Sequence, residues 1–381
     1  MKWKRNALAA ITLVILAPIS CSDAPKPNEP IHIVSWGGQF QADLMQTWVE
    51  PAAKEAGVPI RTESWAGDYG ALSLRIKSGL NAWDLVHVEA HYVMDPRRSE
   101  LFHVLDIDLN STSVDRSFLD NPQTATVLKE NMVIPVLQYA YVAFARGEET
   151  QQAPNKFTWS DFWNIKQYPG RRGLRNTPIG NIEAALLSMG RNPDSELYNL
   201  RDPAAVDDIT NQALERLNEI AGEVLWWSSG DTLESAMTTR EVVYGAAWSG
   251  RAFRVHEKLC GDKTPTDCDL LRVYPDTALI STDWWIVPKN SIRKSEVEKL
   301  AAKLYGTNGA SYARLFFERQ GYSSPIKISQ PIDSTGERTL QYFFDLGRGD
   351  LGGQTISESF WGLHHEKIQK KWELWRNQAS G

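Results

Sequence analysis

The sequence predicts an α/β fold made of two lobes, each a largely parallel sheet with flanking helices. Patterns typical of strands and helices alternate between residues 31 and 88, which favours parallel strands linked by crossover helices. Two long apolar runs, Val133–Ala145 and Ile280–Val287, suit buried strands that carry the chain from one lobe to the other and back. The 381 residues are enough for two domains of ordinary size.

The first lobe is predicted to begin with a strand at Ile31–Ser35, because this stretch is apolar and rich in β-branched residues. Gly37 and Gly38 then predict a turn, and Gln41–Ala56 has apolar residues at helical spacing. The elements predicted next are Pro59–Glu63 as a strand, Ala71–Ser78 as a helix and Trp83–Val88 as a strand. A ligand site in such a fold lies beyond the carboxyl ends of the strands.

The second lobe is predicted to contain helices with one apolar face and at least one further strand. Its predicted elements are a short helix near Trp159–Trp163, helices at Ile182–Met189 and Ala205–Ala221, and a strand at Val242–Trp248. Helices are predicted after the return crossing at Val297–Leu304, Ser311–Arg319 and through most of Gln341–Arg376.

The N-terminus has the pattern of a secretory signal. Lys2, Lys4 and Arg5 precede an apolar run, Ala7–Ile19, that is too short to span a bilayer as a helix. Cys21 follows directly, and Pro18–Cys21 resembles a bacterial lipobox, in which the cysteine is lipidated. Pro18 departs from the usual aliphatic residue, so an ordinary cleaved signal stays the alternative.

Charge and cysteines restrict the partners. Loss of residues 1–20 removes three positive and no negative charges, so the net charge changes from −6 to −9, which disfavours nucleic acid and anionic membranes. In an oxidising compartment Cys260 and Cys268, which flank a polar stretch, are expected to form one disulfide. We expect that the protein has no cofactor and is not an enzyme, because the sequence contains no serine-hydrolase elbow, no phosphate-binding loop and no His-Glu-x-x-His motif.

Several aromatic motifs occur together in one order along the chain. They are Ser35–Gly38, Trp83–Val86, Phe162–Trp163 with Pro169–Gly173, Trp226–Gly230, Ala247–Arg251 and Asp283–Lys289. In this order they resemble the spermidine/putrescine-binding branch of periplasmic solute-binding proteins of ABC importers. The resemblance covers nearly the whole mature chain and implies a type 2 periplasmic-binding fold, with two hinge crossings and a cleft that closes on a ligand.

The resemblance, with the residue pattern, divides the chain into five parts. These are 1–20 as signal peptide, 21–30 as lipid-anchored tether, 31–140 with 286–340 as lobe 1, 141–285 as lobe 2, and 341–381 as C-terminal helices packing across the lobes. It also implies a periplasmic monomer that delivers a small molecule to an importer permease, with the membrane reached only through the N-terminal lipid.

The resemblance further implies a ligand held between aromatic rings and acidic residues. Trp36, Trp248 and Asp283 match the family's ligand positions, and Glu89 lies where a cleft residue is expected. Trp226 and Trp227 are adjacent and point to different sides of an extended chain, so one is expected inside and one in the cleft. We take Trp227 as the cleft residue.

Two departures from the family pattern change the expected ligand. Polyamine binders carry an aspartate soon after the first tryptophan, where this chain has Gly37, Gly38 and Gln39. They also carry an acidic residue three places after the second tryptophan, where this chain has Arg251. A guanidinium matches a carboxylate and repels an amine, so an ω-amino acid such as γ-aminobutyrate is the expected ligand.

Three alternatives stay open. A polyamine remains the alternative ligand, because an internal ion pair would occupy Arg251. The chain also fits a sensor subunit that presents its closed form to a signalling receptor. His87, Glu89 and His91 lie two residues apart, so on one strand they would share a face and resemble a metal triad, although the chain is expected to turn at Ala90.

Overall fold

The computed structural model describes residues 29–79, 82–147, 156–264, 267–327 and 353–379. The predicted signal peptide, Cys21 and most of the tether therefore lie outside the described residues, as do the end of the predicted lobe 1, 328–340, and the start of the predicted tail, 341–352. None of the helices in the described ranges is both long enough and apolar enough to cross a membrane.

The strands form one continuous mixed sheet. Their bounds are β1 Ile31–Ser35, β2 Ile60–Ser64, β3 Leu85–Glu89, β4 Val133–Arg146, β5 Arg172–Arg175, β6 Val224–Trp227, β7 Tyr244–Trp248, β8 Leu271–Ile286 and β9 Gln354–Thr355. The order is β2-β1-β3-β8-β4-β7-β5-β6, and β9 pairs with β8. The flanks β2-β1-β3 and β7-β5-β6 are parallel, whereas β4 and β8 run antiparallel to each other and to their outer neighbours.

Helices connect the strands and cover the sheet. In chain order, the helices before β4 are α1 Gly38–Leu44, α2 Glu50–Ala56, α3 Tyr69–Ser78, α4 Ala90–Val93, α5 Arg98–Leu101, α6 Arg116–Leu119 and α7 Pro122–Leu128. Those between β4 and β8 are α8 Trp159–Trp163, α9 Asn181–Ser188, α10 Pro193–Glu196, α11 Pro203–Asn218, α12 Gly230–Thr238 and α13 Ser249–Cys260. Those after β8 are α14 Lys294–Leu304, α15 Thr307–Gln320 and α16 Glu358–Ala379. Met45–Val49 is a π-helical turn between α1 and α2, and Leu109–Ser111 and Ala221–Glu223 are single 3₁₀ turns.

Most buried apolar side chains of the described residues form two large cores on either side of the long strands β4 and β8, and a third, small cluster lies on these strands. The first core, within Ile31–Tyr139 and Trp284–Ile326, includes Trp48, Trp284 and Trp285. The second core, within Tyr141–Leu279 and Ile356–Trp375, includes Trp227, Trp361 and Trp372. We call the two halves built on these cores the first and second lobe. The two crossings are hydrogen-bonded to each other along most of their length, with register shifts after Pro135 and Tyr141.

The α16 helix packs mainly on the second lobe. Trp361 Nε1 donates to Glu183 Oε1 at 2.6 Å, Trp372 Nε1 to Asn176 Oδ1 at 3.1 Å and Trp375 Nε1 to Asn218 Oδ1 at 2.7 Å. On its other side α16 contacts α4 of the first lobe, where His365 lies against His91 with ring centroids 4.2 Å apart. The tail therefore touches both lobes.

Glycines allow the two lobes to approach closely at several points. A Cβ on Gly250 of α13 would lie 2.3 Å from the ring of Tyr322, which belongs to the first lobe. A Cβ on Gly362 of α16 would lie 2.4 Å from the backbone oxygen of Met94, which follows α4. Any side chain at these positions would overlap the facing lobe in this structure.

The predicted α/β class is confirmed, and Cys260 and Cys268 form the predicted disulfide with a Cα–Cα distance of 5.8 Å. The predicted return crossing at Ile280–Val287 is longer than expected, since β8 begins at Leu271. The extra residues pair with the second half of β4, which also extends through the predicted run Val133–Ala145.

Candidate functional site

A small cavity lies between the lobes beside the two crossing strands, and we call it the inner cavity. Its accessible volume is about 20 Å³, which is room for about one water molecule. It is lined by Trp36, Phe40, Glu89, Leu137, Tyr139, Trp248, Arg251, Asp283 and Tyr322. Five of the six predicted ligand-binding residues are therefore together at this cavity.

Strand ends bring these distant residues together. Trp36 directly follows β1, Glu89 ends β3 and Trp248 ends β7, so three strands point their carboxyl ends at the cavity. Arg251 lies in the first turn of α13, the helix that begins directly after Trp248. Asp283 lies on β8 directly opposite Glu89. The site thus has the location expected for ligands of open α/β sheets.

Asp283 has one carboxylate oxygen engaged and one open. Its Oδ2 accepts a hydrogen bond from Trp36 Nε1 at 3.0 Å and lies 3.1 Å from His87 Nε2. Its Oδ1 is buried and has no hydrogen-bond partner among the described residues. Burial raises the pKa of this carboxyl above its ordinary value, and the His87 contact partly opposes that effect. A buried acceptor without a donor is costly, so an ammonium group at Oδ1 would be stabilising.

Arg251 belongs to a network of four charges on the second lobe. Its Nη1 donates to Asp231 Oδ1 at 2.8 Å and to Glu234 Oε1 at 2.7 Å. Lys258 Nζ donates to the other oxygen of Glu234, also at 2.7 Å. Within the described ranges, Arg251 Nε and Nη2 have no hydrogen-bond acceptor, although the side chain is only 9% exposed. The guanidinium therefore retains donors for a further acceptor.

Glu89 is already paired, with a residue that the sequence did not indicate. Arg175, at the end of β5, donates from Nη1 to Glu89 Oε1 at 2.5 Å and from Nη2 to Oε2 at 3.2 Å. Its guanidinium also lies over the Trp248 ring, with Cζ 4.4 Å from the ring centroid. The pair joins the first lobe to the second, and it neutralises the Glu89 charge.

Aromatic rings form much of the remaining wall. Trp36 stacks on Trp65, with centroids 5.4 Å apart and planes 12° apart, which fixes the orientation of the Trp36 ring. Phe40, Tyr139 and Tyr322 complete this wall. They were not predicted, because their separation in sequence gives no local sign that they converge.

Trp227 lies elsewhere than we expected. It is fully buried in the second core and contacts Trp248 edge-to-face, with centroids 5.3 Å apart. Its neighbour Trp226 packs against Trp372 and Trp375 of α16. The side-chain alternation expected for this pair is present, but α16 covers the outer side, so neither tryptophan lines the inner cavity.

A second, larger cavity of about 960 Å³ opens on the other side of the Glu89–Arg175 pair, and we call it the outer cavity. Its wall includes Tyr69, His91, Asp95, Arg175 and His365, and it shares Glu89 with the inner cavity. Most of its charged groups are paired with each other, such as Asp95 with Arg97. His91, in this wall, also has a buried nitrogen without a partner among the described residues. The inner cavity, however, is lined by both Asp283 and Arg251, which offer groups of opposite charge, so we take it as the candidate ligand site.

Comparison with known proteins identifies the family. Residues 47–336 match the model of the bacterial extracellular solute-binding protein family, which is well over half of the chain. The chain belongs to this family. The predicted family resemblance and the predicted role as a solute-binding component are thereby confirmed. The family is one of periplasmic or extracellular proteins.

This solute-binding protein is similar to relatives with named ligands. It is 23% identical to the gamma-aminobutyric acid-binding protein of Pseudomonas aeruginosa over 92% of both chains. Its structure resembles the Atu4243 GABA receptor (TM-score 0.72, 23% identity, 91% and 98% of the chains). It also resembles the spermidine/putrescine-binding protein PotD of Streptococcus pneumoniae (TM-score 0.60, 16% identity, 91% and 99%). The two structural likenesses establish the fold.

The alternative metal triad is not assembled in this solute-binding protein. His87 contacts Ser35 and Asp283, Glu89 binds Arg175, and His91 packs on Tyr69 and His365. The reason is that β3 ends at Glu89, so His91 begins a helix and leaves the strand face. In the described ranges, one group of potential metal ligands does come together, His256 with Cys260 and Cys268, but the two cysteines are in the disulfide.

Proposed function

We propose that this protein captures a small solute with an amine and a carboxylate, an ω-amino acid of the γ-aminobutyrate type, in the inner cavity. The first and second lobes close on the solute, and the closed form delivers it to an ABC importer permease. The protein binds its ligand without converting it. It acts in the periplasm as a monomer, held at the membrane through a lipid on Cys21.

The observation that carries this proposal is the pair of open polar atoms at the inner cavity. Asp283 offers an unpartnered carboxylate oxygen, which suits an ammonium group. Arg251 retains guanidinium donors, which suit a carboxylate. Aromatic side chains line the same cavity and suit a short aliphatic chain. A ligand with opposite charges at its two ends would satisfy both groups.

The named ligands of the relatives support the same ligand class. The Pseudomonas aeruginosa relative and the Atu4243 receptor are both named for γ-aminobutyrate, and both match over more than nine-tenths of this chain.

The small size of the inner cavity supports an opening and closing cycle. A cavity of about 20 Å³ is too small for an amino acid, so the lobes must move apart to admit one. The two crossings, β4 and β8, are the connections that such a movement bends. A ligand that contacts both lobes stabilises the closed form, because those contacts are complete only there.

Calorimetric titration of the purified protein with γ-aminobutyrate, putrescine and spermidine tests the ligand class. We expect γ-aminobutyrate to bind with micromolar affinity, about −8 kcal/mol, and both polyamines to bind at least about tenfold more weakly. Micromolar binding of a diamine without binding of the amino acid would show that the charge assignment at Arg251 is wrong.

A polyamine is the second candidate, and one observation favours it. Asp231 and Glu234 already bind Arg251, and with Lys258 the network is balanced in charge, so Arg251 is partly occupied. PotD, one of the structural neighbours, is named for spermidine and putrescine. The same titration separates the two candidates. A role as sensor subunit for a receptor would use the same site, and growth on the ligand after deletion of the permease separates it from import.

The lipid anchor has its own measurement. Intact-mass analysis of the mature protein should show a chain that begins at Cys21 with a mass increase of a lipid group. A chain that begins elsewhere without added mass would leave an ordinary cleaved signal as the explanation.

A further inference from the structure

The Glu89–Arg175 pair separates the inner cavity from the outer cavity. Glu89 lines both cavities, and Arg175 lines the outer one. The Arg175 guanidinium continues this barrier over Trp248, whose ring lines the inner cavity. Without these two side chains, the small inner cavity would open towards a space of about 960 Å³.

The pair is held firmly on both sides. Glu89 is fixed through its backbone, since its N–H donates to Tyr69 Oη at 2.9 Å, and Tyr69 Oη also lies 3.4 Å from Glu89 Oε2. Arg175 is fixed by two hydrogen bonds to Glu89 and by the Trp248 ring. The side chains of Glu89 and Arg175 are 7% and 15% exposed. Breaking such a pair would leave a buried charge without a partner, so a ligand does not readily displace it.

We propose that the Glu89–Arg175 pair is a partition that limits the length of the bound solute. This inference rests on the proposed function, because it assigns Asp283 and Arg251 to the two ends of the ligand. When the lobes close on a solute held between Asp283 and Arg251, a solute long enough to reach Glu89 prevents the cross-lobe pair from re-forming, whereas a shorter one does not. Glu89 is then a residue that selects length, and the ammonium group of the ligand is bound by Asp283 alone.

Removal of both partners tests the partition without leaving an unpaired charge. The double variant Glu89→Ala/Arg175→Ala joins the two cavities, and its affinities are measured for γ-aminobutyrate, δ-aminovalerate and ε-aminocaproate. The unmodified protein should bind the longer acids progressively more weakly, by about tenfold or more for each methylene group that does not fit. In the double variant, the ratio of the affinity for γ-aminobutyrate to the affinity for the longer acids should fall by at least about tenfold.

A matched control is available on the wall of the outer cavity. Arg97 binds Asp95 through two hydrogen bonds, of 2.9 and 2.7 Å, but neither residue lines the inner cavity. The double variant Asp95→Ala/Arg97→Ala removes an equivalent pair from one lobe and should leave the ratio unchanged. If the alanine variant of Glu89 and Arg175 fails to fold, Glu89→Gln/Arg175→Gln removes the charges with less loss of packing.

Each result decides the proposal. A ratio that stays unchanged in the folded variant, or an unmodified protein that shows no preference for the shorter acids, would overturn the partition. Loss of all binding by a folded variant would also overturn it, because the pair would then belong to the ligand contacts. If the unmodified protein binds diamines and no ω-amino acid, the proposed function fails, and the same comparison with putrescine and cadaverine still tests the partition.

Discussion

The two ends of the inner cavity hold their charges in different ways. At the first-lobe end Asp283 stands beside a tryptophan and a histidine, keeps one oxygen without a partner and has a raised pKa. At the second-lobe end Arg251 is one of four charges that neutralise each other. The first end therefore depends on the ligand and on pH for its charge balance, whereas the second end is balanced before the ligand arrives.

The largest effect is expected from Asp283→Asn, because it removes the only charge proposed to meet the ligand ammonium. Affinity for γ-aminobutyrate in calorimetry should fall by about 3 kcal/mol, roughly a hundredfold. Asp84→Asn is the control, since Asp84 is buried in the same lobe but both of its oxygens are engaged, by His32 N and Ser291 Oγ. Equal affinity losses in both variants would remove Asp283 from the ligand site.

A somewhat smaller effect is expected from Arg251→Ala at the opposite end. Loss of a charged hydrogen bond should weaken binding of a carboxylate ligand by about 1.5–3 kcal/mol and should spare or improve binding of diamines. Arg254→Ala, one turn further along α13, removes a half-buried pair with Glu257 that does not line the inner cavity, and it should leave affinity unchanged. Unaltered binding of γ-aminobutyrate by Arg251→Ala would place its carboxylate elsewhere.

The effect of pH on ligand affinity should be smaller than the effects of these substitutions at neutral pH and should increase in acid. Protonation of Asp283 removes the partner of the ammonium group, so affinity should fall by about tenfold per pH unit once the pH drops below the raised pKa of this carboxyl. Ligand binding in that range should release protons, which calorimetry in buffers of different ionisation enthalpy detects. Affinity that stays constant down to the ordinary pKa of aspartate would contradict the open oxygen.

The smallest effect on binding is expected at Glu358, a second buried carboxyl near the Asp283 end. Glu358 accepts a hydrogen bond from Thr282 Oγ1, and Thr282 is next to Asp283 in the chain. We assign Glu358 no contact with the ligand. Burial raises the pKa of Glu358 to about 8. Because the folded-state pKa lies above the unfolded value of 4.5, its stabilising contribution is complete below that value and is lost as the pH rises towards 8.

The variant Glu358→Gln should abolish this pH dependence with little change in affinity. The difference in unfolding free energy between the two proteins should change by a few kcal/mol, to order of magnitude, between acidic and alkaline pH. Chemical denaturation at several pH values measures it. A constant difference would mean that Glu358 is ionised in the folded protein at neutral pH.

Much of the fold and part of the site follow from local sequence patterns. The alternation of apolar strands and amphipathic helices predicted the α/β class, and the two long apolar runs predicted β4 and β8. Trp36, Trp248 and Arg251 were found because they stand at ligand positions of the family that the chain resembles, and Trp36 also follows a strand end, where ligands of such sheets bind. Whether Asp283 kept an open oxygen was not predictable, since Trp36 lies 247 residues away from it along the chain.

The residues that the sequence did not indicate have physical reasons of their own. Arg175 ends β5, a strand of four residues with an arginine at each end. Its short length and its charges hide the strand pattern, although its place at a strand end is the same signal that found Trp36. Trp227 was assigned to the cleft because alternation alone does not reveal that α16 covers one side of β6.

The close contact between the lobes requires glycine at two positions, because there is no room for a Cβ atom at either of them. A methyl group at Gly250 would press against Tyr322, which lines the inner cavity beside Arg251, whereas one at Gly362 would press against the Met94 carbonyl, away from that cavity. A methyl group at Gly362 would act as a spacer that weakens retention of every solute by a similar factor while leaving the ranking among solutes intact. The affinity for solutes and the selectivity among solutes thus depend partly on different residues of the chain.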